Sequence, residues 1–565
     1  MNSVFFIILR RMRAPLIVLI VLYAIAVLGL TLVPGVDAEG RPAPPLSFFH
    51  AFYFISYTAT TIGFGEIPNA FSDAQRLWVT VCIYLTVIGW SYSIVTLLAL
   101  FQDKAFQNVL VVGRFARRVR HLQEPFYLVC GCGETGALVC RALDELGIRF
   151  VIVEAREERV QELDLEDFKT DVPALAADAQ TPRVLEMAGL CHPKCCGVLA
   201  LTNDDGANLA VAIAARLLNP GLSVLARAEN AMTAANMASF GTQHIINPFE
   251  RFAEHFGLAI DAPNSARLIE WVTALPGQPA PEARPTPAGD WVVCGHGRFA
   301  QPVAQQLAGH ALAVAVVTPD PATVVEPPLR KVPGTGVGAE TLAEAGIRNA
   351  VGLVAGTDND VNNLSIAVTA KELNPGLFVV LRQNRIANAP LFDAFPAAAI
   401  MVPSRIIAHE SLATIITPML ADFLRGVREQ SDAWSAAACR QMQESFGNEV
   451  PNLWSVALDM REAPAVVQAL KGTPLPLSIL SRDFASHDEA LNVMPLLLMR
   501  EDRVHLFPPP QMLLQPGDGL LFAGSREARD RQGLVLNNAN ALDYVVTGRE
   551  RPGGYVWQYL GRNAS

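Results

Sequence analysis

Two short stretches of this chain have residue types and spacing suited to holding a ligand. The first is Thr58-Ala59-Thr60-Thr61-Ile62-Gly63-Phe64-Gly65-Glu66. Aiming successive carbonyls into one narrow path needs dihedrals open mainly to glycine, which gives Gly63 and Gly65 a mechanical role. Such a row of carbonyls replaces the water around a dehydrating cation. The Thr61 hydroxyl would add a lower ring of oxygens, with Ile62 and Phe64 pointing away from the path and packing behind it. A glycine turn in a membrane loop is the plainer alternative.

The second stretch is Gly131-Cys132-Gly133-Glu134-Thr135-Gly136. It follows the apolar run Phe126 to Cys130 and opens the helical pattern Ala137 to Leu146. A further apolar run, Phe150 to Val153, ends in Glu154, 23 residues after Gly131. In that register the glycines admit a pyrophosphate to a helix N-terminus, and the carboxylate takes a ribose diol.

The elements that must position the first stretch are two uncharged runs. Ala14 to Val36 holds 23 residues, longer than a signal-peptide core, and Leu77 to Gln102 holds 26. The longer run reaches about 39 Å as a helix, enough for a hydrocarbon core of about 30 Å. A signal anchor or cleaved leader would explain the first run alone but not the pair. Arg10, Arg11 and Arg13 precede the pair, and Lys104, Arg114, Arg117, Arg118 and Arg120 follow it. Positive charge at both outer ends places both termini in the cytoplasm and the loop on the far side. Between the runs, Arg41 to Pro45 reads as a turn and Leu46 to Thr60 as a short re-entrant helix. Non-helical backbone survives at that depth only against protein or a water-filled cavity. One loop cannot surround an ion, so two spans per chain imply four chains about one axis. Leu97, Leu98 and Phe101 could close the inner end by dewetting.

The second stretch recurs. Trp291 to Cys294 leads into Gly295-His296-Gly297-Arg298-Phe299-Ala300, Asn203 to Gly221 aligns with Asp358 to Gly376, Asn208-Leu209 with Asn363-Leu364, and Arg227 with Arg382. This is a duplication of roughly 160 residues. Pro276 to Pro287 holds five prolines and reads as an extended linker between the copies. In the second copy Thr318, with Asp320 beyond it, stands where Glu154 was, and Gly334-Thr335-Gly336-Val337-Gly338 stands where the first copy has the stretch around Asp178-Ala179. The first copy is therefore expected to bind an adenine nucleotide, and the second to be weaker, altered or empty.

Length and composition agree with this division. A chain of 565 residues suggests three or four domains. The hydrophobic share of 51% against 17% charged fits a partly membrane-embedded body, and a net charge of -10 offers no nucleic-acid footprint. Nine cysteines form no regular framework, as in a reducing cytoplasm.

Thr60-Thr61-Ile62-Gly63-Phe64-Gly65 resembles the potassium-channel signature, commonest as T-T-V-G-Y-G. Ile62, Phe64 and Glu66 depart from the usual Val, Tyr and Asp, and the absent tyrosine hydroxyl removes a hydrogen bond that often stiffens the loop. Tyr53 and Phe54 stand where two tryptophans are common, and Tyr57 takes a position that is acidic in some relatives. The resemblance implies K+ at the carbonyls of Thr61, Ile62, Gly63, Phe64 and Gly65. It also makes Gly89 a gating hinge, against which close packing on the first span weighs equally.

The repeats resemble RCK domains of the TrkA-N type. Asp178-Ala179 falls where that family commonly contacts an adenosine, and Thr202-Asn203-Asp204 ends a later strand. The implied cofactor set is Gly131, Cys132, Gly133, Glu134, Thr135, Gly136, Glu154, Asp178, Ala179, Thr202 and Arg227. Leu514 to Gly524, within Val504 to Ser525, resembles the small C-terminal lobe of such regulators. The GsuK-type arrangement of two spans followed by tandem RCK domains matches best.

The resulting expectation is a membrane α-helical pore domain (1–102) and a gating linker (103–123), then two α/β Rossmann-like RCK domains and a small α+β lobe. The first RCK domain spans 124–275, a Pro-rich linker 276–290, the second N-lobe 291–430 and the C-terminal lobe 431–565. The resemblance implies a homotetramer with an eight-domain RCK ring in an inner membrane, gated by NAD or a related adenine nucleotide such as ADP. Calcium is a known ligand of some RCK channels.

Other candidates are thinner. Cys191-His192-Pro193-Lys194-Cys195-Cys196 has metal-binding types but no second ligand pair. Asp164, Glu166, Asp167 and Asp171 could hold calcium, but a solvated helix face is the simpler reading. Arg114 to His121 could touch anionic lipid or carry tension to the pore. A membrane-anchored dehydrogenase would need an acid or base placed beside the fingerprint, and no such constellation follows the repeat, so the chain is not read as an enzyme.

Overall fold

The computed structural model describes residues 2–36, 41–66, 70–274, 276–282, 285–320, 329–417, 419–485, 489–501 and 503–548. Residues 283–284 of the Pro-rich linker and 549–565 of the expected C-terminal lobe lie outside them. The chain forms two compact units, 1–121 and 122–565.

In the first unit, α1 (Asn2–Leu32) and α3 (Asp73–Gln102) are both long and apolar enough to cross a membrane. The short helix α2 (Phe48–Ala59) lies between them in sequence, and Ser47 caps its N-terminus by accepting from the His50 amide. Ser72 and Gln75 form a capping box at the start of α3, so that helix begins sharply after the loop. Ala26, Val27 and Leu30 of α1 share a core with Ala51, Phe54 and Ile55 of α2 and with Val79 and Cys82 of α3. Leu28, Leu77, Tyr84, Ile88 and Val95 face outward, an apolar surface that suits lipid or neighbouring chains. Arg11 pairs with Asp103 at 2.6 Å, joining the two outer ends. Asp103 also accepts from the Phe106 amide and so opens α4 (Lys104–Arg120), a helix rather than an extended linker, which ends in Arg117, Arg118 and Arg120.

The second unit opens with β1 (Phe126–Cys130), α5 (Glu134–Glu145), β2 (Arg149–Glu154), β3 (Ala174–Ala176), β4 (Cys195–Ala200), α6 (Asp205–Leu218), β5 (Ser223–Arg227) and β6 (His244–Ile246). The strands are parallel in the order β3-β2-β1-β4-β5-β6. Alternation of apolar with polar residues is absent from the central strands because both faces are covered: Leu128, Val129, Val151, Ile152 and Val153 are all buried. After α7 (Pro248–Asp261) and α8 (Pro263–Thr273) the pattern repeats with β7 (Trp291–Cys294), α9 (Ala300–Gly309), β8 (Val314–Thr318), β9 (Arg330–Pro333), β10 (Gly352–Ala355), α10 (Asp360–Leu373), β11 (Phe378–Arg382) and β12 (Ala399–Met401). Its order is β9-β8-β7-β10-β11-β12, the same as the first.

The duplication is visible in side chains as well. Asn208 takes the Thr202 amide on its carbonyl and donates to Arg227 O; Asn363 does the same with Thr357 and Arg382. Each asparagine thereby clamps two adjacent strand ends.

The helices after each copy are exchanged. Phe249, Ala253 and Phe256 of α7 enter the core of the second copy, beside Trp291 and Val303. Ile407, Ala408 and Leu412 of α11 (Pro403–Ile416) enter the core of the first, beside Ala137 and Leu143. The first copy is thus completed by a helix that follows the whole of the second copy in sequence, and neither copy closes alone.

Residues 276–282 are not free. Gly277 N donates to Val450 O and Ala280 N to Asn448 O, which fixes this part of the proline-rich stretch against the C-terminal lobe. That lobe adds α12 (Asp432–Phe446) and a four-stranded antiparallel sheet of β13 (Asn452–Ala457), β14 (Val493–Arg500), β15 (Arg503–Leu506) and β16 (Gly519–Gly524), ordered β13-β16-β14-β15. Asp432 accepts from the amides of Asn264 and Ser265, tying the lobe to α8.

Candidate functional site

At the C-terminus of α2 the chain enters four residues without regular structure, 62–65. Thr61, Gly63 and Gly65 have φ of 62°, 67° and 89°, while Ile62 and Phe64 keep negative φ. This alternation of left-handed with ordinary backbone is what a one-sided carbonyl row requires. A Cβ on Gly63 or Gly65 would meet nothing within 4 Å, so the demand there is conformational and not for space. Thr61 has no such freedom: a β-branched residue at positive φ costs on the order of 1–3 kcal/mol and persists only where its surroundings hold it. Here Thr61 N donates to Thr58 O, and Ile62 N and Gly63 N both reach Tyr57 O, at 2.9 and 3.4 Å.

Tyr57 does more. Its hydroxyl donates to Gly65 O at 2.5 Å, and its ring meets that of Phe64 edge-on at 5.3 Å. The loop therefore keeps a tyrosine hydroxyl, supplied from α2 in place of the residue at 64, and the Gly65 carbonyl is turned to it. Phe64 rests on Tyr57, but Ile62 and Phe64 are each 59% exposed in the single chain, not packed behind the loop within it. Glu66 accepts from Phe71 N and pairs with Arg76 at 2.9 Å, anchoring the exit of the loop to α3.

Gly89 is placed for close packing: a Cβ there would lie 2.6 Å from Leu22 of α1. Leu98 and Phe101, near the end of α3, are more than half exposed.

In the second unit, the expected residues gather at the carboxyl edge of the first parallel sheet, where the strand order reverses between β1 and β4. Gly131 has φ of 91° and lies so close to Thr202 that a Cβ would come within 2.7 Å of it. A Cβ on Gly136 would collide with Gly131 O, so this glycine sets how closely α5 approaches the turn. Gly133, by contrast, leaves its Cβ position open, with only Arg156 at 4.0 Å, and it is here that a ligand's phosphates can approach backbone. Gly133 caps α5 with no side chain, leaving the helix's first amides for an anion.

Glu154 is buried and already engaged. Its Oε2 accepts from Cys132 N at 2.7 Å, and its Oε1 from Arg156 N at 3.1 Å. It stands at the mouth as expected, but a ribose would share a carboxylate that also braces the Gly-rich turn. Asp178 spends its side chain on Gln180 N, beside the buried Ala179. Thr202 hydrogen-bonds Asp204 O and Asn208, which makes it a buttress for Gly131. Arg227 reaches Asn203 and, at 3.5 Å, Thr135 Oγ1 at the start of α5, while its Nε is buried without a partner. Glu134 faces away to the second copy, where Ile386 N donates to it.

Arg156, Arg159 and Glu229 are not among the residues expected from the sequence, and Tyr57 is placed there without its hydrogen bond to Gly65. Arg159 Nε donates to Cys132 O, and Glu229 pairs with Arg227. Arg156, two residues past the strand-end acid, could have been found from that spacing. Glu229 could not, since its partners are set by tertiary contact.

In the second copy, Gly295 again has positive φ, 107°, but Phe299 fills the place of Thr135, and a Cβ on Gly336 would meet Cys294 Sγ at 2.8 Å. Arg382 pairs with Asp358 at 2.6 Å and lies 4.7 Å from the Phe249 ring; burial pushes its pKa below the usual arginine value, with Asp358 opposing.

Among the described residues, no group of three or more His, Cys, Asp or Glu is placed to hold a metal ion. Cys191, Cys195 and Cys196 donate separately to the carbonyls of Leu218, Gly197 and Lys194, and burial pushes the Cys195 thiol up to about 12. Glu166 of the acidic run is taken by Arg141 at 3.0 Å.

Residues 16–103 match the family described as Ion channel, and residues 127–248 and 291–403 each match the TrkA-N domain. The chain joins an ion-channel domain to two TrkA-N domains. Potassium channel protein 1 of Methanocaldococcus jannaschii is 25% identical over 241 residues, 42% of this chain and 67% of that protein. Probable potassium channel protein 2 of the same organism is 24% identical over 229 residues, 40% of this chain and 65% of the relative. The chain thus aligns with about two thirds of the length of each. A solved structure described as the GsuK channel bound to NAD is 16% identical with a TM-score of 0.44, over 97% of this chain and all of that one. The ion-channel match takes in the second half of α1 and the whole of α2 and α3, and each TrkA-N match spans one six-stranded parallel sheet, the first short of its opening residue Phe126. With two apolar helices in its ion-channel domain, this is a membrane protein.

Proposed function

We propose that four copies of this chain surround one axis as a potassium-selective channel, opened or closed by an adenine nucleotide at the first Gly-rich turn. The observation that carries the pore is the left-handed backbone at Thr61, Gly63 and Gly65, held by Tyr57 at the end of α2. Potassium as the ion is supported by the Thr60 to Gly65 signature and by the named relatives, and K+ is the cargo.

NAD or an ADP-type ligand fits the first turn. Its pyrophosphate would lie over Gly133 and the first amides of α5, within reach of Thr135 and Arg227, with Glu154 and Asp178 toward the nucleoside. In this reading the ligand regulates and is not turned over, since its turn lies in a chain that also carries an ion-channel domain. Four chains bring eight TrkA-N domains, a ring on the cytoplasmic side of a cell membrane with both termini within the cell. The second copy serves that ring structurally.

Binding moves the gate only by the difference in affinity between the ring's two shapes. The covalent route from ring to pore is α4, separated from the end of α3 by the single residue Asp103. Bending of α3 near Gly89 would have to slide past Leu22.

Single-channel recording in planar bilayers, under a potassium/sodium gradient with NAD, NADH, ADP and ATP added to the cytoplasmic face, tests both halves. A reversal potential near that of potassium and an open probability changed by one nucleotide are expected. A current indifferent to all four but responsive to calcium would replace the nucleotide reading with calcium regulation, and an unselective current would overturn potassium selectivity.

A further inference from the structure

We propose that Glu229 couples the nucleotide turn of the first TrkA-N copy to the Gly-rich turn of the second, so that occupancy of one changes the hold on the other. This rests on the reading of the first turn as the nucleotide site. Glu229 bridges two guanidinium groups from different copies. Its Oε1 accepts from Arg227, and its Oε2 accepts from Arg298 in the second turn, Gly295 to Ala300. It is a placed acid: its side chain is 8% exposed, and the amides of Glu229 and Asn230 are fixed by Asp205 at the start of α6.

The bridge continues on both sides. Toward the first turn, Arg227 reaches Thr135 Oγ1, the residue at the N-terminus of α5. Toward the second, Arg298 and Arg382 both lie on the Phe249 ring, at 5.8 and 4.7 Å, and Arg382 pairs with Asp358. An unbroken set of contacts therefore runs from Thr135 to Asp358. The arrangement is one-sided. Asn384 holds the place in the second copy that Glu229 holds in the first, and it is neutral; Glu134, aligned with Arg298, meets a backbone amide at Ile386.

One carboxylate shared between two guanidinium groups binds each less firmly than it would bind either alone. An anionic phosphate at the start of α5 draws Arg227 toward itself, which leaves more of Glu229 for Arg298. Removing Arg298 does the reverse: Glu229 then keeps Arg227, and the nucleotide must compete for it. Glu229 is a positioning residue in this scheme and touches no nucleotide.

The test is a double-mutant cycle on the full-length chain in nanodiscs, with NAD and ADP affinities measured by calorimetry. Groups in one ion-pair network couple strongly enough that Arg298→Ala should weaken the first-turn affinity by about 5-fold. The same substitution in a Glu229→Gln background should change it by less than about 1.5-fold. A purely structural role for Arg298 would instead give the same loss in both backgrounds, and that result overturns the coupling. So does an Arg298→Ala affinity equal to that of the parent chain. If the parent chain itself binds neither nucleotide, the nucleotide reading fails, and the coupling with it.

Discussion

The hydroxyl of Tyr57 donates to the carbonyl of Gly65 across 2.5 Å, reaching from the short helix of the pore domain to the last glycine of its loop. A loop with three left-handed residues in five positions needs such a restraint, because a β-branched residue such as Thr61 is strained at positive φ.

Tyr57→Phe removes that hydrogen bond and keeps the ring contact with Phe64. A net loss of about 1 kcal/mol is expected in the held form of the loop, so potassium-current bursts should shorten by about 5-fold. Unaltered bursts would show that the carbonyls of Tyr57 and Thr58 and the Glu66 anchor hold the loop without the hydroxyl.

Gly89→Ala separates packing from bending. If the glycine is there to admit Leu22, the added methyl overpacks the α1 and α3 contact by about 1–3 kcal/mol. Leu22→Ala in the same chain should then restore both the melting temperature and the open probability. If bending at Gly89 is what matters, the second substitution restores stability and leaves gating impaired.

Glu154→Gln and Glu154→Ala divide the two duties of that carboxylate. Glutamine can still accept from Cys132 N, so it should hold the melting temperature, whereas alanine strands that amide and costs about 1–3 kcal/mol. Both should weaken adenine-nucleotide affinity by about 10-fold while conductance stays intact, since a charged acceptor is worth about 1.5–3 kcal/mol. Nucleotide affinity unchanged in both variants would remove Glu154 from the ribose site.

His255 of α7 gives the second unit a pH dependence. Burial, with Arg428 adding to it, pushes the imidazole down to about 4, below its usual 6.5. Between those values the unfolded chain binds a proton that the folded chain refuses. This contribution to stability is full above pH 6.5 and is lost as pH falls toward 4. The slope for one group is at most ~1.4 kcal/mol per pH unit. Melting curves of the parent chain and His255→Gln, taken from about pH 4.5 to about pH 7.5, should converge toward neutrality in their slopes, with the variant flatter on the acid side. Parallel curves would place the acid sensitivity elsewhere, for instance in His409, whose imidazole burial also pushes down, with Arg405 adding to it.

The division of the chain was legible in the order of its residues because the relevant forces are local and periodic. Uncharged runs such as Ala14 to Val36 and Leu77 to Gln102 can mean little else than helices that avoid water. The glycines at 63, 65, 131 and 136 stand where the backbone needs a positive φ or a bare approach, and that need is written in residue type alone. The duplication followed from matched positions such as Asn208 and Asn363, which the structure shows clamping equivalent strand ends.

Tertiary structure alone decided which side chains met. The exchange of α7 and α11 between copies depends on apolar faces finding a partner far along the chain, and a stripe of apolar residues does not name its partner. The same holds for Glu229, whose charge appears in the sequence but whose two arginines lie at 227 and 298. Likewise, a phenylalanine at 64 announced a missing hydroxyl, and only the packing of the short helix against the loop showed Tyr57 supplying it. Residue type and period determine what an element is; distance in space, which no local pattern encodes, determines what it touches.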